Sequence, residues 1–69
     1  MSPTTLKRLG NALYGPQFQT SLAKALGVTR EAVIGWMRGA YAPSPDRAIR
    51  AKELIGERMA ELRSLKREL

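Results

Sequence analysis

The chain has 69 residues, which allows one domain with a small core, and its 43% hydrophobic and 26% charged content belongs to a folded unit rather than a disordered one. Twelve Lys and Arg against six Asp and Glu leave a net charge of +6, so polyanions are the natural partners: nucleic acid or an acidic membrane surface. Neither Cys nor His is present, which excludes disulfides, thiolate chemistry, the usual zinc sites and the side chain best suited to proton transfer near neutral pH; no enzymatic function and no cofactor are expected.

Leu6, Leu9 and Leu13 recur at the spacing of one helix face, with Thr4 or Thr5 expected to cap the start after Pro3 and Gly15 to end it. Pro16 suits the first turn of a second helix, whose inner side carries Phe18, Leu22, Ala25 and Leu26 and which stops at Gly27. Thr29 then caps a third helix, Arg30 to Arg38, closed by Gly39, and 40–43 is loop.

The clearest start signal is Ser44, Pro45 and Asp46: a cap, a proline where no N–H is needed, and a negative charge at the positive end of the helix dipole. From there Ala48, Ala51, Leu54, Ile55, Met59, Leu62, Leu65 and Leu69 keep one phase through Gly56, so residues 45–69 read as one helix. At ~1.5 Å per residue it runs about 36 Å, more than three short helices can cover. Met59, Leu62, Leu65 and Leu69 are therefore expected to pack on a second copy, with Arg58 as the one charge inside the stripe.

Between Gln19 and Arg38 lies QTSLAKALGVTREAVIGWMR, which reads as two short helices and a tight turn. Ala23 sits where the helices approach most closely, Gly27 takes the turn with positive φ, and Leu22, Leu26, Val28, Val33 and Trp36 lock the pair at a steep angle. Position by position this segment resembles the helix-turn-helix of the phage lambda repressor and Cro family. Gln19 matches the opening Gln, Ala23 the small residue, Gly27 the turn Gly, and Val33 and Trp36 the buried apolar pair. The resemblance covers about Leu6 to Leu54 and implies an all-α helix-turn-helix bundle, to which this chain adds a long C-terminal helix. The wider pattern LYG…FQ…LA..LGV…V..W..G resembles short phage and mobile-element autorepressors, including those encoded beside anti-CRISPR genes.

On the third helix Ala32, Val33 and Trp36 point one way, while Arg30, Glu31, Ile34, Gly35 and Arg38 form the opposite face. Trp36 reads as core rather than as a base-stacking ring. The resemblance places Arg30, Glu31 and Ile34 at base edges: Arg30 on guanine, Glu31 on cytosine, Ile34 on a thymine methyl, with Gly35 leaving the backbone room to approach. Arg38 reaches a base or a phosphate, and Glu31 alternatively pairs with Arg30 or Arg38 or serves the helix dipole. Phosphate contacts fall to Gln17, Gln19 and Thr20 at the start of the second helix, to Thr29, and to Tyr41 and Arg47 on the other side. Lys7, Arg8 and Lys24 read as solvated charge.

Residues 43–69 carry seven Lys and Arg against five Asp and Glu, so the charge excess sits with the motif and the tail is a poor membrane-surface helix. No apolar run approaches the ~20 residues of a membrane span, and no signal-peptide stretch opens the chain. The expectation is one domain over residues 1–69 that binds a double-stranded DNA operator as a homodimer and represses its own promoter, in the bacterial cytoplasm at the nucleoid, without a small-molecule ligand or membrane. An antitoxin-like adaptor, or a DNA-recognition subunit for recombination or excision, are the other functions such a chain can serve.

Overall fold

Helix α1, Pro3–Tyr14, begins two residues earlier than a cap at Thr4 would set it and three earlier than one at Thr5. Ser2 is its cap: its Oγ accepts from the Thr5 N–H at 3.1 Å and donates to Thr5 Oγ1 at 3.0 Å. Pro3 fits the first helical position because that position needs no N–H. In the computed structural model, which describes residues 1–69, α1 is followed by α2 (Gln19–Leu26), α3 (Arg30–Met37) and α4 (Pro45–Glu68), and the chain has no strand.

Contrary to the sequence expectation, α2 does not start at Pro16. Pro16 and Gln17 form a turn, and Phe18 serves as cap residue in helical conformation with no side-chain hydrogen bond. The reason is Phe18 itself, which is buried against Gly10 of α1, where any Cβ would collide with its ring. A buried aromatic anchor fixes the chain ahead of the helix and delays its start.

Helices α2 and α3 end alike. Past α2, the N–H of Val28 reaches the Ala23 carbonyl at 2.9 Å and that of Gly27 the Lys24 carbonyl at 3.2 Å. Past α3, Ala40 reaches Gly35 at 3.0 Å and Gly39 reaches Trp36 at 3.1 Å. This paired pattern needs a left-handed residue, supplied by Gly27 at φ +69° and Gly39 at φ +74°. Arg38 is thereby the residue that caps α3, not its last helical residue.

The core joins Leu6, Leu9 and Leu13 of α1, Phe18, Leu22, Ala23 and Leu26, Val33 and Trp36 of α3, and Ala51 and Leu54 of α4. At about 1.5–3 kcal/mol for each large apolar side chain taken out of water, this cluster is the main source of stability. Ala23 is almost fully buried, as the close helix approach demands, and Trp36 is core. No polar side chain is buried.

Helix α4 is unbroken through Gly56 and sets the 43 Å long axis of a molecule 23 by 19 Å across. Two of its arginines tie it down. Arg47 donates to the Leu26 carbonyl at the end of α2, at 2.8 Å, and Arg58 donates to the Leu13 carbonyl at the end of α1, at 2.9 Å. The Arg58 guanidinium also lies 5.8 Å from the centre of the Tyr14 ring, within cation–π range. The charge inside the apolar stripe thus caps a neighbouring helix. On the outer side of α4, Arg50 pairs with Glu57 at 2.7 Å and Glu53 at 3.2 Å, bonds that make its guanidinium hold its proton more tightly than usual.

Candidate nucleic-acid interface

The outer face of α3 is built by exclusion. Val33 and Trp36 are drawn into the core, with Ala32 and Met37 half-buried beside them, and this rotation turns Arg30, Glu31, Ile34 and Arg38 outward. Thr29 fixes the start of the helix, its Oγ1 accepting from the Ala32 N–H at 3.2 Å. The Thr29 hydroxyl proton remains available for an outside acceptor.

Arg30, Glu31 and Arg38 are exposed, and all the ion pairs of the chain lie on α4. Glu31 pairs with neither Arg30 nor Arg38, so the alternative of a structural ion pair is not realised in the folded chain. Ile34 is half-buried rather than fully exposed.

Gly35 departs from expectation. The space beside it is not open for a ligand: a Cβ there would lie 2.5 Å from Cζ and Oη of Tyr41. The hydroxyl end of the tyrosine ring occupies the notch left by the missing side chain, while Tyr41 as a residue stays 54% exposed. Tyr41 therefore extends the outer surface of α3. Sequence alone offered a signal for this, a glycine in mid-helix where it costs about 1 kcal/mol relative to Ala, which calls for a packing reason.

Among the residues expected at phosphates, Gln17 and Thr20 are exposed and Gln19 is half-buried at the start of α2. Whereas Ser2, Thr29 and Ser44 cap the other three helices, α2 has no side-chain cap, so its first amides and its positive dipole end face outward without an internal acceptor. Arg47 is half-buried and already engaged with Leu26, a structural bond the sequence did not reveal. Its guanidinium carries five donors, so this bond leaves others free. No group of acidic residues in the chain is arranged to hold a metal ion, and no helix is long and apolar enough to cross a membrane.

Residues 19–62 match the model of the family described as Helix-turn-helix, the lambda repressor and Cro type, over more than half of the chain. The chain belongs to the helix-turn-helix family. Neither a curated protein nor a solved structure matches it. As a member of this family the chain is a DNA-binding transcription regulator, with α2 and α3 as the two helices of the motif and α3 in the position of its second helix. In helix-turn-helix proteins that second helix lies in the major groove. The match runs on into α4 as far as Leu62, so the part of α4 that packs on the motif belongs to the family unit and the last turns extend past it.

Proposed function

We propose that this helix-turn-helix chain is a sequence-specific repressor that binds an inverted repeat in double-stranded DNA as a homodimer and controls its own promoter, at the nucleoid of a bacterial cell. In this reading Arg30, Glu31, Ile34 and Arg38 face base edges. Arg30 reads guanine O6 and N7 with two parallel hydrogen bonds, Glu31 accepts from cytosine N4, and the half-buried Ile34 offers a methyl contact to thymine. Gln17, Gln19 and Thr20 at the uncapped start of α2, with Thr29, Tyr41 and Arg47, hold phosphates. Residues 1–69 act as one domain, and the end of α4 provides the dimer contact through Met59, Leu62, Leu65 and Leu69, all of them exposed in the single chain.

The observation that carries this reading is that Arg30, Glu31 and Arg38 stand on one exposed helix face with no ion pair inside the protein. Charges left unpaired in this way lose none of their own protein partners on entering a groove. Repression by occupancy requires a reading head and a means of pairing two heads, and the chain has residues suited to both. Selection of bound duplexes from a random pool, followed by footprinting, tests the proposal. The expected product is an inverted repeat with half-site centres about one turn, roughly 34 Å, apart. A pool with no enriched sequence, or with a single unrepeated half-site, overturns it.

A further inference from the structure

The end of α4 carries more information than an apolar stripe. Ala48, Ile55, Leu62 and Leu69 are spaced by seven, and Ala51, Arg58 and Leu65 are spaced by seven three residues later, so they occupy the a and d positions of a heptad repeat. Ala51 is buried within the chain, whereas Ile55, Leu62, Leu65 and Leu69 are exposed. The seam therefore begins as an internal contact and continues as a free one. Arg58, a charge at a d position, marks the change: its guanidinium is engaged by the Leu13 carbonyl at 2.9 Å and by Tyr14, so its charge is held at the end of α1. Between α1 and α4 the free part opens from a mainly apolar groove of about 530 Å³, lined by Leu9, Ile55, Met59 and Leu62 together with the charged Arg8 and Arg58.

We propose that residues 59–69 of two copies pair as a short parallel coiled coil in register, with Glu61 of each copy against Lys66 of the other. The proposal rests on the dimeric reading above and names its geometry. Glu61 and Glu68 occupy g positions and Lys52 and Lys66 e positions. In a parallel pair a g residue faces the e residue five positions on in the other helix, which sets Glu61 against Lys66 twice. An antiparallel pair sets g against g and e against e: Glu61 then faces Glu68 twice, which is repulsive, and Lys66 faces Met59 and loses its charge partner. Glu61 is held only loosely in the single chain, 4.0 Å from Arg58 with 69% of its side chain exposed, so it is free to change partner.

The position of the reading helix points the same way. The turn ahead of α3 lies at Arg47, whose Nη1 is 3.4 Å from a Cβ built on Gly27, and the turn after it lies at Pro3. The start of α1 in turn borders Ala48 and Lys52, since Met1 and Thr5 share a groove with them. Both ends of α3 are thus at the N-terminal end of α4, opposite the free seam. Only a parallel pair brings two reading helices to the same end of the dimer, where one duplex can meet both.

The chain contains no cysteine, so a single introduced thiol reports the geometry directly. Leu69→Cys in the full chain is expected to link to itself under mild oxidation, because identical seam positions meet in a parallel pair at a spacing a disulfide can bridge. Failure of that link, with ready linking in a mixture of Met59→Cys and Leu69→Cys chains, shows an antiparallel pair and overturns the proposal. By sedimentation equilibrium, Glu61→Lys and Lys66→Glu are each expected to weaken self-association roughly three- to tenfold, the scale of two exposed pairs turned from attraction to repulsion. The double variant E61K/K66E is expected to regain the parent value. Singles without effect, or a double variant that stays weak while circular dichroism shows it folded, overturn the Glu61–Lys66 pairing. A Leu69→Cys dimer that links but enriches no duplex leaves the coil standing and sinks the repressor reading. A chain that enriches a duplex yet never links sinks the coil alone.

Discussion

The Tyr41 ring fills the notch that Gly35 leaves in α3, so closely that a Cβ at position 35 would stand 2.5 Å from the phenol oxygen. The loop after α3 is thereby anchored to the outer side of that helix. Gly35→Ala must swing the ring away, yet the ring is the outer end of an exposed side chain and the helix gains up to about 1 kcal/mol in propensity. The expected outcome is thermal stability within about 1 kcal/mol of the parent together with weaker binding to the selected duplex. A variant that binds as the parent does shows that the seat of Tyr41 has no part in DNA contact.

Replacing Arg30 with Ala removes a fully outward side chain that has no partner in the protein, so folding should be unaffected. On the cognate duplex the loss is expected to be about 1 to 3 kcal/mol, with relaxed preference at one base pair, the signature of a lost bidentate contact. Fluorescence anisotropy on cognate and singly substituted duplexes measures both. Uniform weakening on every duplex would instead mark Arg30 as a phosphate contact.

Arg47 and Arg58 make one kind of prediction at two places. Each donates from α4 to the last turn of another helix, and replacement by Met keeps the aliphatic stem while removing the charged donor. Urea denaturation is expected to show a loss of about 1.5 kcal/mol for each, the low end for a hydrogen bond from a charged group because both residues keep access to water. The two differ on DNA. Arg47→Met should also reduce affinity, since Arg47 borders the motif, whereas Arg58→Met should leave the reading of a half-site as it is. Unchanged stability in Arg47→Met would show that the bond to Leu26 contributes nothing measurable.

Salt separates electrostatic attachment from readout. The logarithm of the binding constant is expected to fall with the logarithm of salt concentration by about 0.9 per phosphate neutralised. The slope should be the same on cognate and scrambled duplexes to within the one or two contacts that Arg30 and Arg38 add. A flat response on both would end the case for phosphate contacts.

Much of this fold was legible because its signals are local. Ser44 and Pro45 begin α4 where their chemistry says, Gly27 and Gly39 take the left-handed positions their helix ends require, and Val33 and Trp36 face inward together. The start of α2 was misread because Phe18, a residue of no capping value, is fixed by a glycine eight residues back, and that pairing leaves no periodic trace. Gly35 was read as room for DNA because a bare notch and a filled one look alike until the loop residue that fills it is placed. For Arg58 the wheel gave the phase but not the partner. A long side chain on an apolar stripe can leave it for a carbonyl that only the tertiary arrangement brings near. The role proposed for each outward residue of α3 rests on the family's geometry rather than on periodicity, which fixes only the direction a side chain faces.

All ion pairs and both interhelical arginine bonds belong to α4, and the side chains of Arg30, Glu31 and Arg38 make no ion pair or hydrogen bond with the rest of the molecule. Under the proposed function, exchanging Arg30, Glu31 or Arg38 is therefore expected to alter what is recognised without loosening what is folded. Operator preference in such a chain can drift by single substitutions, each step passing through a stable protein, and two diverged copies can come to ignore each other's sites while sharing one scaffold. The same separation makes these three positions a practical place to randomise when a new target sequence is wanted.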